Sequence, residues 1–155
     1  ATVHGRVLIE EASQPAGLLV GFHGYGQAAE DMLEQLRLIP GAESWTRVSI
    51  QALHPFYTRG DARVVASWMT RQDRELAIDD NARYASDVID TVATDAPLFL
   101  AGFSQGAAMA YRAAARSRRP VAGIVALAGD IPPELKTDPS VRWPRVLVGV
   151  GDREE

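Results

Sequence analysis

Gly102-Phe103-Ser104-Gln105-Gly106 stands between the apolar run Pro97-Leu98-Phe99-Leu100-Ala101 and an alanine-rich stretch over residues 107–115. The order is that of a buried strand, a sharp turn and a helix, with serine at the apex of the turn. A serine oxygen that attacks a carbonyl has to be held clear of the backbone. Glycine two residues to either side lets strand and helix approach each other there. Gly102 and Gly106 meet that need, which makes Ser104 the candidate nucleophile. Gly-x-Ser-x-Gly also arises by chance in a chain with 13 glycines, and the flanking strand and helix patterns are what favour chemistry.

Outward from this turn, short apolar runs alternate with amphipathic patterns, without internal repeat, low-complexity tract or linker. Residues 6–9 and 17–22 read as an opening pair of strands separated by the turn-forming Ser13-Gln14-Pro15. Ala29, Met32, Leu33, Leu36 and Ile39 recur at helical spacing and predict a helix over 28–39, with Glu30 and Asp31 near its positive end. Residues 47–52 form the next expected strand. The stretch from Leu53 through Phe56, Tyr57 and Gly60 to Trp68 reads as a long, partly aromatic loop of the kind that carries function. Ile78, Ala82, Ala85, Ile89 and Val92 mark the inner face of a helix over 75–93, with Asp79, Asp80, Arg83, Asp87 and Asp90 on its wet face. Residues 121–127 and 145–150 are continuous apolar runs, as in strands of a parallel sheet covered on both faces. The expected fold is α/β, a mostly parallel, doubly wound sheet with helices on both faces.

At 155 residues, 46% hydrophobic and 23% charged, the composition is that of a globular domain. A net charge of −4 gives no basic field for phosphate backbones, so no nucleic-acid partner is expected. The cationic cluster Arg116-Ser117-Arg118-Arg119 falls where the helix after Ser104 should end, and cations opposing that helix dipole explain it. With no cysteine and only three scattered histidines, neither a disulfide framework nor a metal site is expected. Absence of cysteine fits a reducing compartment, and a cytoplasmic location is the expectation. No segment reaches the roughly 20 apolar residues that cross a bilayer, so no transmembrane segment is expected. The chain opens on Ala1, which is compatible with a trimmed or processed product.

Phe22-His23-Gly24-Tyr25-Gly26 follows one expected strand and precedes a helix, so its backbone N–H groups can face an anion. A Gly-rich connecting turn is the plain alternative. In hydrolases built on a serine elbow, the oxyanion is held by the N–H after the nucleophile and by one from an earlier strand–helix loop. Here those are Gln105 and Tyr25, with His23 and Gly24 forming the oxyanion loop.

These motifs resemble the phospholipase/carboxylesterase branch of α/β-hydrolases, which includes acyl-protein thioesterases and small bacterial esterases. The match runs in order through His23-Gly24-Tyr25-Gly26, Ala52-Leu53-His54-Pro55, Ser67-Trp68 and Gly102-Phe103-Ser104-Gln105-Gly106. The resemblance implies an α/β-hydrolase domain over residues 1–155 and a cofactor-free serine carboxylic ester hydrolase. It would act on small-molecule or acyl esters, thioesters included, through an acyl-enzyme on Ser104. The family carries an Asp three residues after a glycine that ends a following strand. Gly151-Asp152-Arg153-Glu154 puts Glu154 at that position, with Asp152 second and Asp130 third, although Asp130 beside Pro132-Pro133 reads more simply as a turn former.

The family's triad order is serine, acid, histidine, and no histidine follows Ser104 in this sequence. With it the resemblance places a final strand and closing helices, so residues 145–150 should show an apolar edge and the domain is read as C-terminally incomplete. His23 belongs to the oxyanion loop, His4 lies near a terminus, and His54, which follows a strand, is the remaining candidate base. Trp68 and Phe56 are candidates to line an apolar groove for an acyl chain, whereas Met69 and Met109 are assigned to the core. Two other readings stand beside the enzyme. One is a catalytically inactive binding domain; the other is one half of an active unit completed by a second copy or another chain.

Overall fold

The computed structural model describes residues 1–60 and 62–150. A six-stranded sheet is ordered β1 (Arg6–Glu10), β3 (Thr46–Gln51), β2 (Leu18–Phe22), β6 (Leu98–Phe103), β7 (Val121–Leu127) and β8 (Arg145–Gly149). Only β1 runs antiparallel, against β3; the remaining pairings are parallel. The opening strands are therefore not neighbours, because β3 lies between them. The Ser13-Gln14-Pro15 turn sends the chain across the sheet instead of closing a hairpin.

Alternation along the strands separates two layers. Leu18, Val20, Phe22, Val48, Ile50, Leu98, Leu100, Ile124 and Ala126 pack with α2 (Arg74–Thr91) and α3 (Gln105–Arg116) into the main core. Leu19 and Ala101 face the other way, onto Met32 and Leu36 of α1 (Ala29–Arg37). Asp31 Oδ2 accepts the N–H of Ala28 at 2.8 Å, so an acidic first-turn residue closes the start of α1. These helices match the expected spans to within two residues.

Residues 53–68 depart from the expected loop. β4 (His54–Tyr57) and β5 (Val64–Ser67) pair antiparallel as a separate two-stranded ribbon. Pro55 sits in a ribbon that has no third strand among the described residues, where its missing N–H costs no ladder bond. The ribbon is tied down by an isolated bridge between Gln27 and Ala66.

Arg116 stands in the last turn of α3, as expected, and the arginine cluster also reaches the neighbouring helix. Arg116 pairs with Asp79 of α2 at 2.8 Å, and Arg119 donates to the Val92 carbonyl at the C-terminal end of α2, so the cations clamp the neighbouring helix. Arg112, 3% exposed, is paired at 2.7 Å with Glu134 of the short α4 (Pro133–Lys136), anchoring that helix to α3. Among the described residues β8 is an edge strand, with Leu147 66% and Val148 55% exposed.

Candidate active site

β2 and β6 are parallel neighbours with Phe22 opposite Gly102, so the segments that leave their carboxyl ends emerge side by side. One is the loop His23-Gly24-Tyr25-Gly26 and the other is the turn at Ser104. Their approach is close. A Cβ on Gly102 would overlap the backbone of Gly106 and Ala107, and a Cβ on Gly106 would overlap the carbonyl oxygens of Phe22 and His23. A Cβ on Gly24 would lie 2.9 Å from the Phe103 ring. All three glycines are demanded by packing between loop, strand and helix.

Ser104 adopts φ 56° and ψ −116°, a conformation that L-residues other than glycine rarely occupy. Its N–H donates to Leu127 O at 2.7 Å, and its carbonyl accepts from Ala107 at 3.0 Å. The strained residue is therefore fixed between β7 and the first turn of α3, and it is exposed. Gln105 opens α3, so its N–H belongs to the first turn, where no intrahelical acceptor exists. Tyr25 N–H is likewise unpaired among the described residues, although Gly24 N–H donates to Gln27 Oε1 at 2.7 Å and Gly26 N–H to Ala66 O at 3.2 Å. Two unclaimed donors thus flank the end of the sheet where Ser104 stands.

His23 is fully buried and engaged at both ring nitrogens. Nε2 accepts the Ala52 N–H at 3.0 Å, which fixes the proton on Nδ1, and Nδ1 donates to Gly24 O at 2.7 Å. Burial pushes its pKa below the ordinary value of 6.5, while the bond to Gly24 pulls it back in part. The ring braces the loop and has no nitrogen left to take a proton from serine. His54 is exposed on β4, and no histidine among the described residues is hydrogen-bonded to Ser104.

Trp68, considered for an acyl groove, has no exposed surface. Its ring stacks on His23 at 5.0 Å, its Nε1–H donates to His23 O at 2.7 Å, and its backbone N–H donates to Gln105 Oε1 at 2.9 Å. It supports the oxyanion loop from behind. Phe56 is half-buried against Tyr25, ring centroids 5.4 Å apart, and Tyr25 itself is 59% exposed. An aromatic pair therefore borders the loop on the ribbon side. Asp130 is exposed, accepts the Ile131 N–H at 2.7 Å and lies 3.6 Å from Lys136, as a turn residue does. Glu154 and Asp152 lie outside the described residues. Asn81, absent from the sequence reading, is buried and bonded to both Leu53 and Trp68. Its one sequence signal is a polar residue directly before Ala82 on the inner face of α2.

No helix among the described residues is long and apolar enough to cross a membrane.

Residues 4–144 match the family described as phospholipase/carboxylesterase. The solved structure of esterase PE8 superimposes with a TM-score of 0.66 at 28% identity, covering 97% of this chain and 76% of that one. Acyl-protein thioesterase 2 of Zea mays gives 0.66 at 18% identity over 88% of this chain and 69% of its own. A phospholipase/carboxylesterase from Dyadobacter fermentans gives 0.62 at 22% identity, covering 84% and 63%. The last two likenesses establish the fold. Comparison with curated proteins finds no match.

Proposed function

We propose that this chain, which belongs to the phospholipase/carboxylesterase family of α/β-hydrolases, carries the nucleophile and oxyanion hole of a serine carboxylic ester hydrolase. The observation that carries the reading is the exposed, positive-φ Ser104 beside the unpaired N–H groups of Gln105 and Tyr25. Ser104 Oγ attacks the acyl carbonyl carbon and gives its proton to a general base. The carbonyl oxygen becomes an oxyanion that accepts hydrogen bonds from the Tyr25 and Gln105 amides. Collapse of the tetrahedral intermediate expels the alcohol or thiol and leaves an acyl-enzyme. Water then attacks the same carbon, and the acid departs as Oγ regains its proton.

Removal of one such amide donor in a serine hydrolase costs about a hundredfold or more in rate, so the placement of both donors decides the chemistry. His23 is not that base, because both of its ring nitrogens are occupied. Glu154, or Asp152 in its place, is the acid that would orient that base. The Tyr25–Phe56 pair offers an apolar surface beside the oxyanion loop, which supports small and acyl esters, thioesters included, as the substrate class.

Hydrolysis of p-nitrophenyl acetate and butyrate by the natural full-length protein and by its Ser104→Ala variant tests the reading. Activity lost by about 10³-fold or more in the variant supports it, and activity retained contradicts it.

A further inference from the structure

Asn81 has no surface open to solvent, yet its amide is fully used. Oδ1 accepts the Leu53 N–H at 2.9 Å, while Nδ2 donates to Trp68 O and to Ala77 O, both at 3.0 Å. Asparagine is a middling helix former, and an apolar residue between Ile78 and Ala82 would serve packing better. The helix itself does not require these bonds. Their other ends lead to the oxyanion loop.

Leu53 follows Ala52, whose N–H donates to His23 Nε2 at 3.0 Å. The His23 carbonyl accepts Trp68 Nε1–H at 2.7 Å, and the Trp68 carbonyl returns to Asn81. Trp68 N–H donates to Gln105 Oε1 at 2.9 Å, which attaches this closed ring to the elbow. We propose that Asn81 is a positioning residue for ester hydrolysis, closing a ring of buried hydrogen bonds through Leu53-Ala52, His23 and Trp68 that sets the Tyr25 amide against the Gln105 amide. The role rests on the serine-hydrolase reading above. Asn81 touches no reacting atom and acts through His23 and Trp68.

The ring needs an acceptor and a donor at position 81 together, which amide and neutral carboxyl provide and carboxylate does not. An Asn81→Asp carboxylate would still accept from Leu53 but would turn negative charge on the Trp68 and Ala77 carbonyl oxygens. Protonated, it would donate to one of them again. Burial favours the neutral acid, so the change from working to broken ring falls above the ordinary carboxyl range.

The test measures kcat and KM for p-nitrophenyl butyrate from pH 5 to 9, with the natural full-length protein and its Asn81→Asp variant. Both are held below their melting temperatures, and kcat is taken per folded molecule. The expected result is a variant-to-parent kcat ratio that is highest at acid pH and falls by about tenfold or more toward alkaline pH, with KM unchanged. A ratio that does not vary with pH, or a loss confined to KM, overturns the proposal. If Asn81→Asp fails to fold, Asn81→Ser decides: a kcat loss of about tenfold at constant KM is expected, and an unchanged kcat overturns the role. Ser104→Ala is assayed alongside. Hydrolysis that survives it overturns the nucleophile and Asn81's role together, whereas Ser104-dependent hydrolysis indifferent to Asn81 overturns the positioning role alone.

Discussion

Gly106 packs so tightly on Phe22 that any Cβ at position 106 would overlap the Phe22 carbonyl oxygen. The first turn of the helix after Ser104 is therefore in backbone contact with the end of the strand that feeds the oxyanion loop. The obstructing atoms, the carbonyl oxygens of Phe22 and His23, are main chain and cannot swing aside.

Gly106→Ala should accordingly be among the most damaging single methyl additions in the chain. We expect a loss of about 3 kcal/mol or more, or failure to accumulate as folded protein. Thermal unfolding by circular dichroism checks this, with Gly26→Ala as the comparison: Gly26 has a positive φ of 75° but open space around it, so the expected cost there is strain alone, about 1 kcal/mol.

Ser104 carries the opposite prediction. Its φ of 56° with ψ −116° is unfavourable for serine and accessible to glycine. Ser104→Gly should raise stability by about 1 kcal/mol while removing ester hydrolysis, because relief of strain exceeds the added chain entropy. Urea unfolding of parent and variant measures it, and a destabilised variant would mean that the serine conformation is not strained in solution.

The fold and the elbow were legible in the sequence because both follow from local pattern. The apolar run 97–101, the serine between two glycines and the alanine-rich helix 107–115 occupy one short segment, and β6 and α3 form there. The partner of β1 was not legible, since strand adjacency depends on the whole sheet and the turn residues at 13–15 suit a crossing as well as a hairpin. The β4–β5 ribbon was obscured by Pro55 and Gly60, which punctuate a loop and an edge ribbon alike. Trp68 read as a groove residue because its position in the sequence says nothing of its direction, and its indole turns inward onto His23. Asn81 is not legible in the sequence, because a single polar residue within an amphipathic helix carries no signal until its partners at 53 and 68 are in place.

His23 makes stability depend on pH. Its folded-state pKa lies below the ordinary 6.5, so the unfolded chain takes up the proton first. Its stabilising contribution is present above pH 6.5 and is lost progressively as pH falls through 6.5 toward the lower folded value. The slope is at most about 1.4 kcal/mol per pH unit for one proton. Urea midpoints from pH 7.5 to 5 should fall in the parent protein, and His23→Leu should flatten that fall while lowering stability throughout. An equal slope in both proteins would place the titration elsewhere.

Arg112 and Glu134 give a stability prediction away from the site. Arg112 is buried, and its guanidinium holds the Glu134 carboxyl below the usual carboxylate range. Glu134→Ala leaves a buried cation without its partner and should cost about 1–3 kcal/mol, at the lower end because half of the glutamate side chain is wet. Arg112→Met should cost less than Glu134→Ala, since it removes the charge along with the need for a partner. Chemical denaturation of the two variants orders them.

The most direct test of the central claim is covalent labelling of the natural full-length protein with a fluorophosphonate, followed by mass spectrometry of its peptides. An activated serine in an oxyanion hole predicts one phosphonyl adduct, on the peptide that contains Ser104, and none in the Ser104→Ala variant. An ester-hydrolysing protein that stays unlabelled, or that carries the adduct on another residue, would contradict the account.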